Sequence, residues 1–225
     1  MDRLYRIRML VGDQGLEKLK HATVLVVGCG AVGSFAIEAL ARSGVGNLVV
    51  IDNDNVEQSN INRQLIATNS TIGTPKVEAV ATRVHDINPD INVIPVNLFW
   101  DDNTDIEIKP DWVIDAIDTV SSKVALYKWC QKNKIQFISS MGAARKTDPG
   151  QIKINKISKT TVCPLAKKIR HEIKNKKIVD FPVVFSTECA DKNVAPGKEF
   201  GSIVTVTGVF GLMLANFVIQ KIIQK

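Results

Sequence analysis

The sequence has few cysteines, and none of them is spaced like a zinc ligand. The four cysteines are Cys29, Cys130, Cys163 and Cys189, and no two of them lie three positions apart. The two Cys-x-x-Cys pairs that usually hold a structural zinc ion therefore cannot be assembled. Because there is no disulfide framework and no recognisable signal peptide, we expect a protein of the reducing cytoplasm.

Internal repeats, low-complexity tracts and metal-spaced histidines are also missing. One apolar run, residues 202–223, is just long enough to cross a bilayer at roughly twenty residues. Polar side chains interrupt this run, and Lys221 lies inside its end. We therefore expect a buried core helix that a dimer partner could share, and no membrane association.

A strand, a glycine-rich turn, a helix and a second strand follow one another between residues 24 and 54. The first apolar run leads into Gly28, Gly30 and Gly33, and the second ends at Asp52. In a nucleotide-binding βαβ unit, such glycines allow a tight turn, close approach of phosphate and helix–strand packing. The helix N-terminus attracts the phosphate, and the acid accepts hydrogen bonds from ribose hydroxyls. The sequence thus predicts a nucleotide site.

The residues after Asp52 favour ATP over NAD. A nicotinamide site keeps its pyrophosphate intact, whereas an ATP site that breaks a bond at phosphorus must neutralise charge on departing pyrophosphate. Arg63 and Lys76 are suitable cations, and Asn60 and Gln64 could orient phosphate oxygens. A dehydrogenase is disfavoured by these residues and by the lack of an evident catalytic histidine.

A third apolar strand, residues 112–117, brings more acid to the same edge of the sheet. Asp118 follows this strand, and ligands of open parallel sheets bind outside the carboxyl ends of the strands. Its carboxylate suits a magnesium ion bridged to phosphate oxygens. The alternative is that Asp118 caps the helix beginning near Ser121. Asp115, inside the strand, is interpreted as structural.

Alternation of strands and helices predicts an α/β fold with a Rossmann-like, mostly parallel sheet covered by helices on both faces. Helices precede this unit at residues 2–21. Thr74 is the expected N-cap of the helix that begins near Pro75. Residues 151–157 alternate between apolar and polar side chains, which predicts an antiparallel strand in a C-terminal extension.

Together these motifs resemble the adenylating superfamily of ubiquitin-activating-like, ThiF-type enzymes. The matching segments are Gly28–Gly33, Asp52–Asp54, Ser59–Gln64, Lys76 and Asp115–Asp118. Further segments resemble one branch, the tRNA threonylcarbamoyladenosine dehydratases: Ala41–Gly46, Asp148–Pro149, Pro164–Arg170 and Val184–Glu188. The resemblance implies a single adenylating domain over 1–225, with a nucleotide-binding half at 1–142 and a substrate-side and dimerisation half at 143–225.

The resemblance also implies roles for individual residues. Asp52 and Asp54 would bind the ribose and shape the site, and Asp118 would hold Mg²⁺. Four polar side chains would hold the phosphates of ATP: Asn60, Arg63, Gln64 and Lys76. An arginine from the second subunit of a homodimer would complete the site, and the spacing indicates Arg6, with Arg8 as the alternative.

The charge of the chain is uneven and bears on its partner. Residues 145–177 carry eleven basic and two acidic side chains, a net charge of +9, although the whole chain carries only +6. This excess suits a polyanion such as tRNA bearing threonylcarbamoyladenosine, or an acidic sulfur-carrier protein. The alternative interpretation is a solvated helix face over residues 166–177. Cys163 or Cys189 could carry sulfur or a covalent intermediate, although a thiol without a chemical role is the simpler interpretation.

The resemblance implies ATP-dependent cyclising dehydration of that nucleoside, next to the tRNA anticodon, through a carboxyl-adenylate. The alternative is an adenylating enzyme for the C-terminus of a ubiquitin-like sulfur-carrier protein, which the missing zinc pairs disfavour.

Overall fold

The computed structural model describes residues 2–189 and 200–224, and its centre is a seven-stranded sheet. The strands are β1 (Thr23–Val27), β2 (Asn47–Asp52), β3 (Asn92–Asn97), β4 (Trp112–Asp115), β5 (Gln136–Ser140), β6 (Ile152–Lys156) and β7 (Pro182–Ser186). The α-helices among these residues are α1 (Tyr5–His21), α2 (Gly33–Arg42), α3 (Lys76–Ile87), α4 (Val120–Lys132), α5 (Pro164–Asn175) and α6 (Val204–Gln224).

The strands are ordered β3-β2-β1-β4-β5-β7-β6. All neighbouring pairs are parallel except the last, in which β6 runs antiparallel to β7. The order reverses between β1 and β4, because the chain moves outward through β2 and β3 and then returns to the other side of β1. Such a reversal opens a crevice at the carboxyl ends of the strands, where ligands bind.

Apolar side chains cover both faces of the sheet. Along β1, Val24 and Val26 belong to a core formed with α1, α2, α3 and α6, whereas Leu25 and Val27 belong to a second core formed with α4 and α5. This alternation follows from the two-residue period of a strand. It explains why the central strands are continuous apolar runs, as expected for a parallel sheet buried on both faces.

Helix α6 is the apolar run identified in the sequence. It packs across α2 and α1, and its inner side chains, including Phe210 and Leu214, are fully buried in the first core. By length and composition α6 could cross a membrane, yet half of its most apolar window is buried inside the fold. The expectation of a core helix therefore agrees with its position.

The predicted fold class is confirmed, with two local differences. Strand β7 was not predicted; it inserts between β5 and β6 and extends the sheet. The predicted N-cap is wrong, because Pro75 and not Thr74 precedes the first turn of α3. The carbonyl of Thr74 accepts a hydrogen bond from the N–H of Val56 at 2.8 Å, and Asn55 pairs with Pro75, which holds Thr74 in an extended pairing before the helix.

Candidate active site

A cleft of about 950 Å³ lies along the carboxyl ends of the central strands. It is bounded by the loops after β1, β2, β4 and β5 and by the start of α5. Eight of the residues predicted for the site line it, and they are Gly28, Gly30, Asp52, Asp54, Arg63, Gln64, Lys76 and Asp118. The fold thus brings together side chains from four separate parts of the sequence.

The glycine loop is shaped by two close approaches of backbone. Gly28 has a φ of +94°, and a Cβ there would lie 2.7 Å from the carbonyl oxygen of Ala116. At Gly33 a Cβ would lie 1.7 Å from the carbonyl oxygen of Gly28. Only glycine fits at either position, because a left-handed φ and such contacts both exclude a side chain. Gly33 itself is buried beneath the loop and does not line the cleft.

The carboxylate of Asp52 fixes the loop that faces it. One oxygen accepts a hydrogen bond from the N–H of Cys29 at 2.7 Å, and the other accepts from the N–H of Asp54 at 2.9 Å. Asp52 is only partly buried, so lone pairs remain available at the cleft. This arrangement suits the predicted binding of ribose hydroxyls.

Lys76 begins α3 and is held in the cleft wall. Its Nζ lies 2.7 Å from Oδ2 of Asp54; the Lys76 side chain is 7 % exposed and that of Asp54 is 60 % exposed. A buried ammonium beside an exposed carboxylate is a fixed positive charge, because moving it away would leave it desolvated and unpaired. Such a charge can face an anion in the cleft.

Arg63 lies on the turn between β2 and α3. Its Nη1 donates to the carbonyl of Ser59 at 2.7 Å and to Oδ1 of Asn62 at 2.9 Å. These bonds orient the guanidinium, while other N–H groups stay available. Asn60 does not line the cleft: its Oδ1 accepts from the N–H of Glu57 at 3.1 Å, so its amide stabilises the turn that carries Arg63. Its direct phosphate role stays a prediction.

Several buried polar atoms at the cleft have no hydrogen-bond partner among the described residues. They belong to Gln64 (Oε1), Trp100 (Nε1), Ser122 (Oγ) and Arg145 (Nε). Unpaired buried polar atoms are costly, and native proteins keep few of them. Four of the six such atoms among the described residues belong to residues that line this cleft.

Asp118 is exposed and lines the cleft after β4. Its carboxylate accepts one hydrogen bond, from Oγ1 of Thr119 at 3.2 Å, and the N-cap of α4 is Thr119. The alternative role of Asp118 as a helix cap is therefore wrong. An exposed carboxylate facing a phosphate-sized space fits Mg²⁺, which binds one or two carboxylates together with phosphate oxygens.

A buried polar network lies below Asp118. The sequence analysis predicted a structural role for Asp115 but none of its partners in this network. Nζ of Lys123 is 2.7 Å from Oδ2 of Asp115 and 2.8 Å from the carbonyl oxygen of Ser140, and both charged side chains are fully buried. Tyr127 donates to Asp115 at 2.8 Å. Burial, followed by the charge of Asp115, raises the pKa of Tyr127 well above its usual value, so the phenol stays protonated.

The loop after β5 forms the opposite wall. The carboxylate of Glu188 accepts hydrogen bonds from the N–H groups of Thr147 and Asp148, both at 3.0 Å, which fixes this loop to the end of β7. Partial burial raises the pKa of Glu188, but these bonds and nearby Lys146 outweigh it, and the net pKa is lowered. Arg145 and Lys146 line the cleft from this loop.

The basic segment carries mostly unpaired charge. Among the described residues, Lys176 is the only one of its eleven cations within ion-pair distance of an acid, Glu172 at 3.4 Å. Helix α5 buries one apolar face and leaves Lys167, Lys168 and Lys174 exposed. Unpaired cations repel one another, which favours an anionic partner over a self-contained surface.

The two cysteines singled out in the sequence differ in position. Cys163 is buried, lines the cleft and precedes α5, and its Sγ accepts a weak hydrogen bond from the N–H of Ala166 at 3.5 Å. Cys189 is exposed beyond β7.

The N-terminal arginines lie outside the cleft of their own chain. Arg8 is engaged with Asp2 at 3.0 Å and Asp13 at 3.3 Å. Arg6 is exposed, and no described acid lies within 4 Å of it. Arg6 is therefore the arginine with the freer charge.

The geometry agrees with comparison to known proteins. The model of the ThiF family matches residues 1–225. The chain belongs to the ThiF family. Within this family, the tRNA threonylcarbamoyladenosine dehydratase of Bacillus subtilis is 47% identical over 187 residues, covering 81% of this chain and 74% of the relative.

Solved structures of this family superpose over almost the whole fold. The crystal structure of the E. coli tRNA N6-threonylcarbamoyladenosine dehydratase in complex with ATP has a TM-score of 0.92 and 35% identity, and the match covers 99% of this chain and 94% of that chain. Its complex with AMP gives a TM-score of 0.93 with the same coverage.

Proposed function

We propose that this protein uses ATP to dehydrate and cyclise threonylcarbamoyladenosine next to the anticodon of tRNA. The observation that carries this proposal is one cleft in which a ribose-binding acid, two fixed cations and an exposed carboxylate converge: Asp52, Arg63, Lys76 and Asp118. The ATP and AMP complexes of the E. coli relative support the nucleotide. The reaction class follows from the names of the relatives that match over most of their length.

The first step joins the carboxylate of the modified nucleoside to the α-phosphorus of ATP and releases pyrophosphate. Arg63 and Lys76 stabilise the charge that builds on the departing pyrophosphate, because fixed cations need no reorganisation during the step. Asp52 orients the ribose. Asp118 would hold Mg²⁺, which neutralises phosphate charge when bound.

The second step closes a ring within the same side chain. A nitrogen or oxygen of the threonylcarbamoyl group attacks the activated carbonyl, loses its proton, and AMP departs with the carboxyl oxygen, so that one water is lost overall. Because nucleophile and electrophile are already tethered, proximity supplies much of the rate. The cleft walls formed by the loops after β4 and β5 then chiefly have to shield the acyl-adenylate from water.

In this proposal the protein acts in the cytoplasm, and the two halves of the chain have different roles. Residues 1–142 bind ATP, and residues 143–225 carry the substrate side and the dimer contacts.

Two copies complete each site in this proposal, with Arg6 of one subunit reaching the cleft of the other. Arg6→Ala and Arg63→Ala should each lose adenylation when alone. After equal mixing and subunit exchange, about one quarter of wild-type activity should return, because half of the dimers hold one intact site. ATP–pyrophosphate exchange of the mixture measures this recovery. A mixture of Arg8→Ala and Arg63→Ala tests the alternative arginine in the same way. If mixing Arg6→Ala with Arg63→Ala restores no activity, Arg6 acts in the site of its own chain or has no catalytic role.

The exposed cations of α5 are proposed to contact tRNA phosphates. Lys167→Glu combined with Lys174→Glu should raise the KM for tRNA about ten-fold or more, since each phosphate contact contributes to affinity and to its salt dependence. The KM for ATP should stay within about two-fold of wild type. Steady-state kinetics at two salt concentrations test this. The control is Lys109→Glu, an exposed lysine that precedes the amino end of the central strand β4 and does not line the cleft. An equal effect of the control per unit of charge changed would show that tRNA binding depends only on net charge.

ATP–pyrophosphate exchange with purified protein and magnesium tests the function itself. It is run with threonylcarbamoyl-modified tRNA, unmodified tRNA and no tRNA. Exchange with the modified tRNA alone supports the proposal. Exchange absent in all three reactions, with ATP still bound, would point to the C-terminus of a sulfur-carrier protein as the missing substrate. Mass spectrometry of the tRNA, which should lose the mass of one water, identifies the product.

A further inference from the structure

An exposed aromatic ring lies in the cleft beside an arginine. Phe200, which precedes α6, is 60% exposed although it lines the cleft. Cζ of Arg145, from the loop after β5, lies 4.4 Å from the centre of its ring. At this distance the guanidinium and the ring attract each other. One face of the ring is thereby covered, while much of the ring stays open to the cleft.

The backbone holds this pair in place. Arg145 has a φ of +58°, a left-handed conformation that is uncommon for a residue other than glycine. Its N–H donates to the carbonyl of Gly201 at 2.9 Å, which joins the loop after β5 to the segment before α6. Its Nε is buried without a hydrogen-bond partner. Strain and an unpaired buried polar atom on one residue are features that occur at ligand sites.

The pair lies on the substrate side of the cleft and not on the ribose side. Asp52 ends β2, whereas Arg145 follows β5, and β1 and β4 lie between these two strands. Three strand spacings separate the two ends by roughly 14 Å. Arg63 links the phosphate region to this side, because Asn62 accepts from Arg63 at 2.9 Å and donates to the carbonyl of Ser202 at 3.1 Å.

We propose that Phe200 and Arg145 form a stacking platform for the modified adenine of the RNA substrate, so that its side-chain carboxylate reaches the α-phosphate near Arg63. Proteins that read unpaired RNA bases stack them on aromatic rings and on arginine planes. This inference rests on the proposed function and adds to it the subsite that holds the base. The platform is assigned to RNA and not to the adenine of ATP because it lies at the end of the cleft away from Asp52.

The test compares the KM for modified tRNA in the exchange reaction with the dissociation constant for ATP measured without tRNA. Phe200→Leu should raise the KM for the tRNA about 5- to 150-fold, the range for loss of one base–aromatic stack. The dissociation constant for ATP without tRNA should change less than about two-fold, since stacking on Phe200 involves the RNA alone. Phe200→Tyr, which keeps the ring, should restore the tRNA KM. Because Phe200 is largely exposed, these variants are expected to fold, and their melting temperatures check this.

A second variant tests the arginine without risk to the backbone. Arg145→Gly removes the guanidinium, and glycine adopts a left-handed φ without strain. The variant should therefore fold, and it should raise the tRNA KM because half of the platform is lost. Phe99→Leu is the matched control, because Phe99 is a comparably exposed ring, 52% exposed, in the same cleft after β3. It should leave the tRNA KM unchanged.

Each result has one meaning. An unchanged tRNA KM in Phe200→Leu or in Arg145→Gly, or an equal rise in Phe99→Leu, overturns the platform while leaving the proposed function intact. A rise in the ATP dissociation constant with no change in the tRNA KM assigns the ring to ATP and also overturns it. Wild-type protein that binds ATP but exchanges with no tRNA overturns the proposed function, and the platform with it.

Discussion

Replacing Arg63 by alanine is expected to slow ATP–pyrophosphate exchange by about 10²- to 10³-fold, the usual cost of removing one group that stabilises transition-state charge. ATP binding should weaken far less, because Lys76 and the glycine loop remain. The two bonds from Arg63 to Ser59 and Asn62 hold the guanidinium before ATP arrives, so its contribution falls mainly on the step in which pyrophosphate leaves. The turnover number, and not the KM for ATP, should therefore carry the loss.

The comparison variants for this prediction separate charge from shape. Arg63→Lys keeps the charge but not the planar fork and should recover part of the rate. Arg42→Ala removes an exposed arginine at the end of α2, outside the cleft, and should leave exchange unchanged. A raised KM for ATP with an unchanged turnover number in Arg63→Ala would mean that Arg63 only binds ground-state ATP.

Replacing Lys123 by methionine is expected to lower the free energy of unfolding by about 3–5 kcal/mol, the cost of leaving a buried charge without its partner. Asp115 would stay buried with its hydrogen bonds from Tyr127 and Ser139 but without a countercharge. Urea unfolding followed by circular dichroism measures the change.

The matched control lies five residues further along the same helix. Lys128 pairs with Asp102 at 2.8 Å, but both side chains are exposed, and Lys128→Ala should cost no more than about 1 kcal/mol. Adding Asp115→Asn to Lys123→Met should recover part of the lost stability, because the unpaired charge is then removed. Equal losses in Lys123→Met and Lys128→Ala would contradict the assignment of Lys123 to a buried ion pair.

The sequence predicted the parts of the site that depend on local order. The βαβ unit was predictable because strand, glycines, helix and acid follow one another, and the structure brings Gly28, Asp52 and Asp118 to one edge of the sheet. Strand β7 was not predicted, because a run of only five residues is a weak local signal and its place in the sheet is defined by pairing with β5 and β6.

Contacts between residues that are far apart along the chain could not be predicted from the sequence either. Arg145 and Phe200 are far apart along the chain, and Arg145 entered the sequence argument only as one charge in a basic segment. The motif indicated that Asn60 is a phosphate ligand, and that role stays a prediction; in the structure its amide is hydrogen-bonded within the turn. A motif fixes which residues are near the site, but hydrogen bonding decides which of them face it.

The two outer strands of the sheet have a consequence for solubility. At one edge, Pro95 in β3 lacks an N–H group, and at the other, β6 carries the exposed lysines Lys153 and Lys156. Proline and lysine on edge strands block pairing with a foreign strand. The central sheet is thus closed to extension at both ends, and two copies that met edge to edge would not join into a continuous, aggregating sheet.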